Sequence, residues 1–330
     1  MAQRNPVFEV IKPGLFTTVQ DLGRFGYQQY GMAVSGAMDP YALRIGNLLV
    51  GNEEGAAGLE MTLVGPVLKA CRDCLIAITG GDLNPHLDGV PLPMWKSVVM
   101  PQGSVLAFQG VKRGCRAYLA VRGGIDVPLV MGSRSTYVKA KLGGYQGRPL
   151  QSGDVLPVGL AGASHHPQNL LMYANRSLHP EAVPQYASPV QARVILGPDY
   201  EMFRAESVRL FLSQPYTISP QADRMGYRLT GARLEHKGQA EIISDAIPFG
   251  AIQVPASGEP ILLLADRQPT GGYPKIATVI SSDLPLVAQA KPGEQIRFTA
   301  VTLEESQQLL YEQESVLQTL RLANRLLRHA

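Results

Sequence analysis

Short apolar runs separated by glycine and proline are the feature that most limits what this chain can fold into. The sequence contains 34 glycines and 25 prolines among its 330 residues, and they interrupt its apolar runs at short intervals. Short apolar runs bounded by turn residues are typical of strands. We therefore predict a mostly β protein with frequent turns and only a few short helices.

A helical pattern follows Asp39, and another follows Thr302. Asp39 is a preferred N-cap residue and Pro40 suits the first helical position, which predicts a short helix. The free N–H groups at that helix start favour an anion, unless Asp39 satisfies them as the cap, and the pattern leaves both interpretations open. Thr302 begins a T-L-E-E capping box, so we predict an amphipathic C-terminal helix over 303–330.

The charge balance argues against several classes of partner. Thirty basic and 27 acidic side chains give a net charge of +3 without a run of like charges, so we predict no nucleic-acid partner. No apolar stretch approaches the roughly 18 residues of a membrane helix, and the N-terminus lacks the apolar core of a signal peptide. We therefore expect no membrane contact and a cytoplasmic location.

The cysteines do not predict a metal site. Cys71 and Cys74 have the spacing of a metal or redox pair, but a structural zinc ion would need further ligands. The chain has no second C-x-x-C and no H-x-x-x-H, and His165-His166 is an isolated pair. We predict structural cysteines and no bound metal.

Composition divides the chain into four segments. We predict an N-terminal β domain over 1–160 and a linker or seam over 161–189, which is rich in small, polar and turn residues. A C-terminal β domain over 190–302 and the helix 303–330 follow. Val7–Ile11 is the first predicted strand. The segment 12–40 that follows is glycine-rich and too long for a simple connection, so we expect a functional loop there. Its distinctive side chains include Arg24, Ser35 and Asp39.

The two halves share a short motif. Residues 24–31 and 224–231 both have the pattern R-x-G-Y-x-x-x-G, and each copy is preceded by a Gln and an Asp and followed by a serine-centred loop. We hypothesise that the halves are related and that a cleft between them is lined by both.

The stretch 244–283 carries the densest group of chemically useful side chains. The buried run Ile261–Ala265 predicts a central strand that leads directly into Asp266, Arg267 and Gln268. Charge at the end of a buried strand is costly unless it is paired or used. One interpretation is a polar pocket floor, and the other is a hairpin loop whose charges pair with other loops. The turn that follows adds Thr270, Gly271, Gly272, Tyr273 and Lys275.

Four segments of this sequence, residues 15–52, 118–136, 222–231 and 261–277, resemble one known family. The last of them is ILLLADRQPTGGYPKIA. The family is that of KipA, or the C subunit of 5-oxoprolinase, which is also described as biotin-dependent carboxyltransferase-like or allophanate hydrolase subunit 2-like. It is similar to the carboxyltransferase part of urea carboxylase, and the resemblance extends over roughly residues 7–305.

The resemblance implies cyclophilin-like β-barrel architecture in two related halves. It implies that the direct partner is a KipI-like B subunit of 5-oxoprolinase. With the A subunit, these proteins would form an ATP-dependent complex that opens 5-oxo-L-proline to L-glutamate. This chain would then be an enzyme subunit that is inactive alone.

The resemblance leaves two alternatives. One is a regulatory KipI antagonist without chemistry of its own, which would relieve inhibition of a sporulation sensor kinase. The other is a carboxyltransferase component of a urea-carboxylase-like biotin enzyme.

The sequence bears on these alternatives through the motifs that it lacks. It has no Met-Lys-Met biotin attachment site, so a carboxyltransferase of this kind would receive biotin from elsewhere. It also has no G-x-x-x-x-G-K-[ST] phosphate loop, so an ATP site would be unconventional or shared with the partner.

The resemblance also suggests roles for individual residues. Arg224, Arg267 or the helix start at Asp39 could bind the carboxylate of 5-oxoproline. Asp266, Tyr273 or Lys275 could polarise or protonate the lactam, and these are the predicted catalytic residues. The predicted substrate-binding set is Arg24, Ser35, Asp39, Arg224, Arg267, Gln268, Thr270, Gly271 and Gly272.

Overall fold

The computed structural model of the chain describes residues 5–159 and 170–328, so His165-His166 lies outside the described residues. Contacts divide the chain into two compact units. Unit 1 comprises Met1–Arg24, Asp39–Pro184 and Ser315–Ala330, and unit 2 comprises Phe25–Met38 and Gln185–Glu314. The units are therefore interleaved along the sequence, whereas the segments predicted from composition follow one another.

Unit 1 is built from two antiparallel sheets. Its strands are β1 (Pro6–Lys12), β2 (Phe16–Gln20), β3 (Gly58–Thr62), β4 (Val67–Ala70), β5 (Cys74–Asp82), β6 (Pro85–Leu87), β7 (Val90–Pro91), β8 (Ser97–Met100), β9 (Val105–Phe108), β10 (Arg113–Val121) and β11 (Val155–Pro157). One sheet has the order β11-β1-β4-β9-β6-β7, and the other has the order β2-β3-β10-β5-β8.

Strands β5 and β10 form the buried centre of unit 1. They pair antiparallel, with Tyr118 opposite Thr79, and almost all their residues are buried. Helix α1 (Pro40–Leu49) packs on these two strands. A Cβ atom on Gly46 would lie 3.1 Å from Thr79 Oγ1 and 3.3 Å from the Cβ of Ala120, so glycine at this position lets the helix approach closely.

Unit 2 is a closed seven-stranded barrel. Its strands are β12 (Val190–Leu196), β13 (Tyr216–Ile218), β14 (Gly226–Thr230), β16 (Ala251–Gln253), β17 (Ile261–Leu263), β19 (Lys275–Val279) and β20 (Gln295–Ala300), with a separate pair β15 (Asp245–Ala246) and β18 (Thr270–Gly271). The order is β12-β19-β16-β17-β14-β13-β20, and the barrel closes through a parallel pairing of β12 with β20.

Aromatic side chains fill one part of the core of unit 2. Phe211, on helix α2 (Ala205–Ser213), stacks on Phe298 of β20 with ring centroids 4.8 Å apart, and Tyr216 contacts both rings. Stacked and tilted aromatic pairs at this separation are favourable beyond the area that they bury. Helix α3 (Leu284–Ala288) also packs in this unit, against β12.

The C-terminal helix, α4 (Leu303–Arg328), begins at the predicted capping box. Glu305 N donates to Thr302 Oγ1 at 3.2 Å, and Thr302 N donates to Glu305 Oε2 at 2.8 Å. The half of the helix that belongs to unit 1 is anchored there by Asn324, whose Nδ2 donates to the carbonyl of Leu48 at 3.0 Å. Short 3₁₀ helices occupy Gln28–Tyr30, Val138–Ala140, Pro180–Ala182, Tyr200–Met202 and Ser281–Asp283.

The structure confirms the predicted mostly β class, with a β-barrel, a few short helices and a C-terminal helix. It differs at β2, which lies in the segment expected to be a loop. Thr17, Thr18 and Gln20 are buried although they are polar, so this strand has no apolar run that the sequence could show. The predicted strand Ile261–Ala265 ends earlier, at Leu263. Within the described ranges, no helix is long and apolar enough to cross a membrane.

Candidate functional site

The predicted site residues fall in both units. Arg24 and Asp39 belong to unit 1, and the remainder belong to unit 2. Ser35 belongs to unit 2 because the segment Phe25–Met38 packs with that unit. The sequence contains no sign of this, since Ser35 lies far along the chain from the other site residues of unit 2.

Arg24 is held inside unit 1. Its side chain is fully buried, and Nη2 donates to the carbonyl of Ser135 at 2.5 Å. The neighbouring Asp21 carboxylate accepts hydrogen bonds from the hydroxyls of Ser133 and Ser135 and from the backbone N–H of Arg134. These contacts fix residues 133–135 against residues 21–24. The role of Arg24 in this arrangement is structural.

Asp39 caps helix α1. Its Oδ1 accepts from the N–H of Ala42 at 2.9 Å, and its own N–H donates to the Tyr118 hydroxyl at 2.8 Å. That hydroxyl donates in turn to Glu60 Oε2 at 2.7 Å. Burial, with the nearby Glu60 carboxylate, raises the pKa of Tyr118 well above its ordinary value. The sequence left two interpretations of this helix start open, an anion site and a cap. In the structure Asp39 is the cap.

Asp266 lies at the centre of a buried polar cluster in unit 2. Its Oδ1 and Oδ2 each accept a bond of 3.1 Å from Arg224, and Oδ1 also accepts from the Ser35 hydroxyl at 2.7 Å. Arg224 Nη2 donates to the carbonyl of Gly36 at 2.5 Å. This fork geometry is the strong form of the arginine–carboxylate pair. We call Ser35, Arg224 and Asp266 the ion-pair cluster.

Backbone hydrogen bonds fix the ion-pair cluster in place. Ser35 N donates to the carbonyl of Ala265 at 3.1 Å, and Asp266 N donates to the carbonyl of Arg224 at 2.8 Å. Ser35 has a positive φ of 58°, which is uncommon for a residue other than glycine. Since the carboxylate already accepts from two side chains, its main role in this arrangement is to hold three chain segments together.

Arg267, the next residue, has a different environment. Its Nε donates to the carbonyl of Ile247 at 2.8 Å, its Nη1 donates to the carbonyl of Leu264 at 3.1 Å, and it lies over the ring of Phe249. No carboxylate in the described ranges forms an ion pair with it. Burial lowers the pKa of Arg267 to about 10, which still leaves it protonated at neutral pH.

A cavity of about 270 Å³ opens beside Arg267. Its lining combines apolar side chains, two amide side chains and one guanidinium, which suits a small ligand that is part apolar and part anionic. Sequence analysis did not identify Gln28 or Ile247 as part of this wall. The lining residues are Gln28, Val34, Ala246, Ile247, Pro248, Arg267, Gln268 and Pro269.

Lys275 is buried and ion-paired. Its side chain is 3% exposed, and Nζ lies 2.6 Å from Asp245 Oδ2 and 3.9 Å from Asp199 Oδ2. Asp199 Oδ2 also accepts from the backbone N–H of Lys275 at 3.0 Å. The hydrogen bond and charge of Lys275 lower the pKa of Asp245. Sequence analysis found Lys275 but missed both aspartates, because each lies far from it along the chain.

The glycine turn connects Arg267 to Lys275. Thr270 and Gly271 form β18, which pairs with β15. A Cβ atom on Gly271 would lie 2.7 Å from Ile247 Cδ1, so a side chain at this position would displace the end of the Ile247 side chain. Gly272 accepts at its carbonyl from the N–H of Ile242 at 2.8 Å. The Tyr273 side chain is 41% exposed.

The barrel unit thus has a cavity whose lining includes the Arg267 guanidinium, which makes it a candidate site for a small anionic molecule. In the part of the chain that the structure describes, no group of three His, Cys, Asp or Glu residues is placed to hold a metal ion. The class of protein is therefore a barrel-domain protein with a candidate carboxylate-binding pocket.

The chain belongs to the family of carboxyltransferase domains that comprise subdomains A and B, whose model matches residues 30–300. It is 39% identical to the C subunit of the Escherichia coli 5-oxoprolinase over 300 residues, which cover 91% of this chain and 93% of the relative. It is also 35% identical to the urea amidolyase of Lachancea kluyveri over 337 residues, or 95% of this chain but 18% of that relative.

The fold matches that of a solved urea amidolyase. The crystal structure of the K. lactis urea amidolyase superimposes with a TM-score of 0.89 and 29% identity and covers 97% of this chain. This chain spans only 20% of that structure. It is therefore similar to one part of the larger protein, whereas it matches the 5-oxoprolinase C subunit nearly from end to end.

Proposed function

We propose that this chain is the C subunit of an ATP-dependent 5-oxoprolinase that opens 5-oxo-L-proline to L-glutamate. Its support is the near full-length similarity to a 5-oxoprolinase C subunit, at 39% identity over 93% of that relative. In this proposal a KipI-like B subunit is the direct partner, and an A subunit completes the enzyme. The chain is inactive alone, and any ATP site is unconventional or shared with the partner.

The observation that carries the site assignment is Arg267 beside its cavity. A guanidinium without a carboxylate partner in the described ranges, next to a cavity of about 270 Å³, suits a small carboxylic acid. 5-Oxoproline has one carboxylate, three ring methylene or methine carbons and one amide. Arg267 would bind the carboxylate, the apolar wall would contact the ring, and Gln28 or Gln268 would hydrogen-bond the lactam.

The lactam needs activation because it is a resonance-stabilised amide. We propose that ATP supplies this activation by transfer of its terminal phosphoryl group to the lactam oxygen, with release of ADP. One water then adds to the ring carbonyl carbon, the ring C–N bond breaks as the nitrogen takes up a proton, and a second water hydrolyses the resulting acyl phosphate to glutamate and phosphate. Tyr273, which follows the lining residues Gln268 and Pro269 along the chain but is not itself among the lining residues, is the proposed further donor to the lactam oxygen. Asp266 and Lys275 are engaged in ion pairs, so their contribution to the site is to position neighbouring groups.

Omission of single components tests the proposed function. ATP hydrolysis and glutamate release from 5-oxoproline are measured with this chain and its A and B partner proteins together, and then with each of the three left out. The proposal predicts coupled turnover only with all three. Equal turnover without this chain would contradict it and would favour a regulatory role, in which the chain antagonises the KipI-like partner.

A carboxyltransferase function is the second candidate, because the family model carries that chemistry in its name and the urea amidolyase relatives match most of this chain. It would require carboxybiotin from another protein, since the chain has no biotin attachment sequence. Avidin separates the two proposals, because it sequesters biotin. Turnover of 5-oxoproline that avidin leaves unchanged favours the 5-oxoprolinase, and turnover that avidin abolishes favours carboxyl transfer.

A further inference from the structure

One wall of the cavity belongs to an exposed segment, residues 241–248, which we call the wall segment. Ile243 at its tip is 95% exposed, and Asp245 and Ala246 are exposed as well. Only Ile247 is buried, in a small cluster with Ala251 and Leu263. A segment with so few buried apolar contacts depends on its polar ties to keep one position.

The wall segment orients Arg267 through a backbone atom. Ile247 O accepts from Arg267 Nε at 2.8 Å, while Ile247 N donates to the carbonyl of Pro269 at 2.9 Å. Ala246, Ile247 and Pro248 also line the cavity. Any displacement of the wall segment therefore changes both the cavity and the direction of the guanidinium.

The strongest side-chain tie on the wall segment is the ion pair between Asp245 and Lys275. Asp245 has an exposed side chain, whereas Lys275 projects from the barrel strand β19 and is almost fully buried. Their 2.6 Å contact links the exposed segment to the rigid barrel. Asp199 lies 3.9 Å from the same ammonium, within the barrel unit, and gives Lys275 a second, weaker partner.

We propose that Lys275 is a positioning residue, which acts through Asp245 to hold the wall segment, and through Ile247 to aim Arg267 into the cavity. The kinetic part of this inference depends on the proposed function, whereas the structural part does not. Lys275 in this role does not touch the substrate. Its removal loosens one wall of the site and leaves the reacting groups intact.

Removal of Lys275 and removal of Asp245 leave different charged groups without their partner. Replacement of Lys275 by methionine exchanges a buried charge for an apolar side chain of similar length, so no ammonium stays buried without a partner. The Asp245 carboxylate that remains is already exposed and is solvated by water. Replacement of Asp245 leaves the buried Lys275 ammonium with the more distant Asp199 carboxylate and a 3.5 Å bond to the carbonyl of Ala246, so it weakens the unit more.

Hydrogen exchange on the full chain tests the structural part. In Lys275→Met and in Asp245→Asn, we expect the amide protons of Ile242 and Ile247 to exchange roughly tenfold faster, while amides of β19 and β20 stay unchanged. Glu241→Gln is the matched control, because it removes a carboxylate from the same segment that forms no ion pair in the described structure. Unchanged exchange in both ion-pair variants would overturn the proposal.

Steady-state kinetics of the assembled complex separate a positioning role from a catalytic one. A positioning role predicts that Lys275→Met and Asp245→Asn raise KM for 5-oxoproline about tenfold and keep kcat within about twofold. A loss of kcat in Lys275→Met alone, with KM and exchange unchanged, would make Lys275 a catalytic residue and overturn the inference. If the complex has no 5-oxoprolinase activity, the proposed function fails and the exchange measurement still decides the structural part.

Discussion

Arg224 and Arg267 lie in the same barrel unit, and their environments differ in one decisive respect. Arg224 is buried and forms a forked pair with Asp266. Among the described residues, Arg267 bonds to the backbone carbonyls of Ile247 and Leu264 and lies over the Phe249 ring, without a carboxylate partner. The charge of Arg224 is therefore neutralised inside the protein. No carboxylate in the described part of the chain neutralises the charge of Arg267, and a cavity opens beside it.

This difference separates a structural arginine from one that is available to a ligand. A buried ion pair is costly to break, because the remaining charge keeps its desolvation penalty. A half-buried guanidinium without a counter-ion has the opposite property, since an external carboxylate can supply the missing partner. Mutation should therefore damage folding at the first site and binding at the second.

The largest expected effect is at the ion-pair cluster. Asp266→Ala removes the carboxylate that accepts both bonds of Arg224, so we expect a loss of about 3–5 kcal/mol in the free energy of unfolding, measured by urea denaturation. The double variant Arg224→Met, Asp266→Leu removes both charges and should lose less than the single variant. A loss in Asp266→Ala below about 1 kcal/mol, together with abolished turnover, would make Asp266 catalytic instead.

The second effect is on binding at Arg267. Arg267→Met should weaken the binding of 5-oxoproline by about 1.5–3 kcal/mol, which is the range for a hydrogen bond to a charged group. Its thermal midpoint should fall far less than that of Asp266→Ala, because the loss of the bonds to the carbonyls of Ile247 and Leu264 is offset in part by removal of the burial cost that lowers the pKa of Arg267. Calorimetric titration and a thermal melt of the same sample measure both quantities.

Arg267→Lys is the control for this prediction. It keeps the positive charge but loses the planar fork, so part of the binding energy should remain. A variant Arg267→Met that binds 5-oxoproline normally, or that unfolds as readily as Asp266→Ala, would remove the distinction between the two arginines.

The smallest effect is expected at Ser35. Its hydroxyl donates one bond to Asp266, which keeps both bonds from Arg224 when the hydroxyl is removed. Ser35→Ala should therefore cost about 1 kcal/mol of unfolding free energy and leave 5-oxoproline binding unchanged. A loss of turnover without a loss of stability would indicate that the hydroxyl takes part in the reaction.

The fold class was predictable from the sequence for a physical reason, since strand and helix signals are local. Glycine and proline spacing indicated the β class, and the caps at Asp39 and Thr302 located the starts of two helices. Unit membership is not local. Nothing in the sequence indicated that residues 25–38 pack with the barrel unit, because that depends on contacts with residues much later in the chain.

The contacts of the candidate site residues were likewise not predictable from local sequence. The stretch 261–277 contains Asp266, Arg267 and Lys275, and sequence analysis identified them as chemically useful. The sequence did not show which of these charges has a partner inside the protein. Ser35, which bonds to Asp266, is remote in sequence, and Asp245, which pairs with Lys275, lies in an exposed segment. Of the three candidates for carboxylate binding, Arg224 and Asp39 are engaged by partners within their own units, which favours Arg267.

The most direct measurement is a calorimetric comparison of 5-oxoproline with its neutral carboxamide, titrated into this chain assembled with its A and B partner proteins. If Arg267 binds the carboxylate, the wild type should bind 5-oxoproline at least about tenfold more tightly than the carboxamide, and Arg267→Met should remove this difference. Equal affinity of the wild type for both compounds, or the same preference in Arg267→Met, would contradict the assignment of Arg267 as the carboxylate-binding residue.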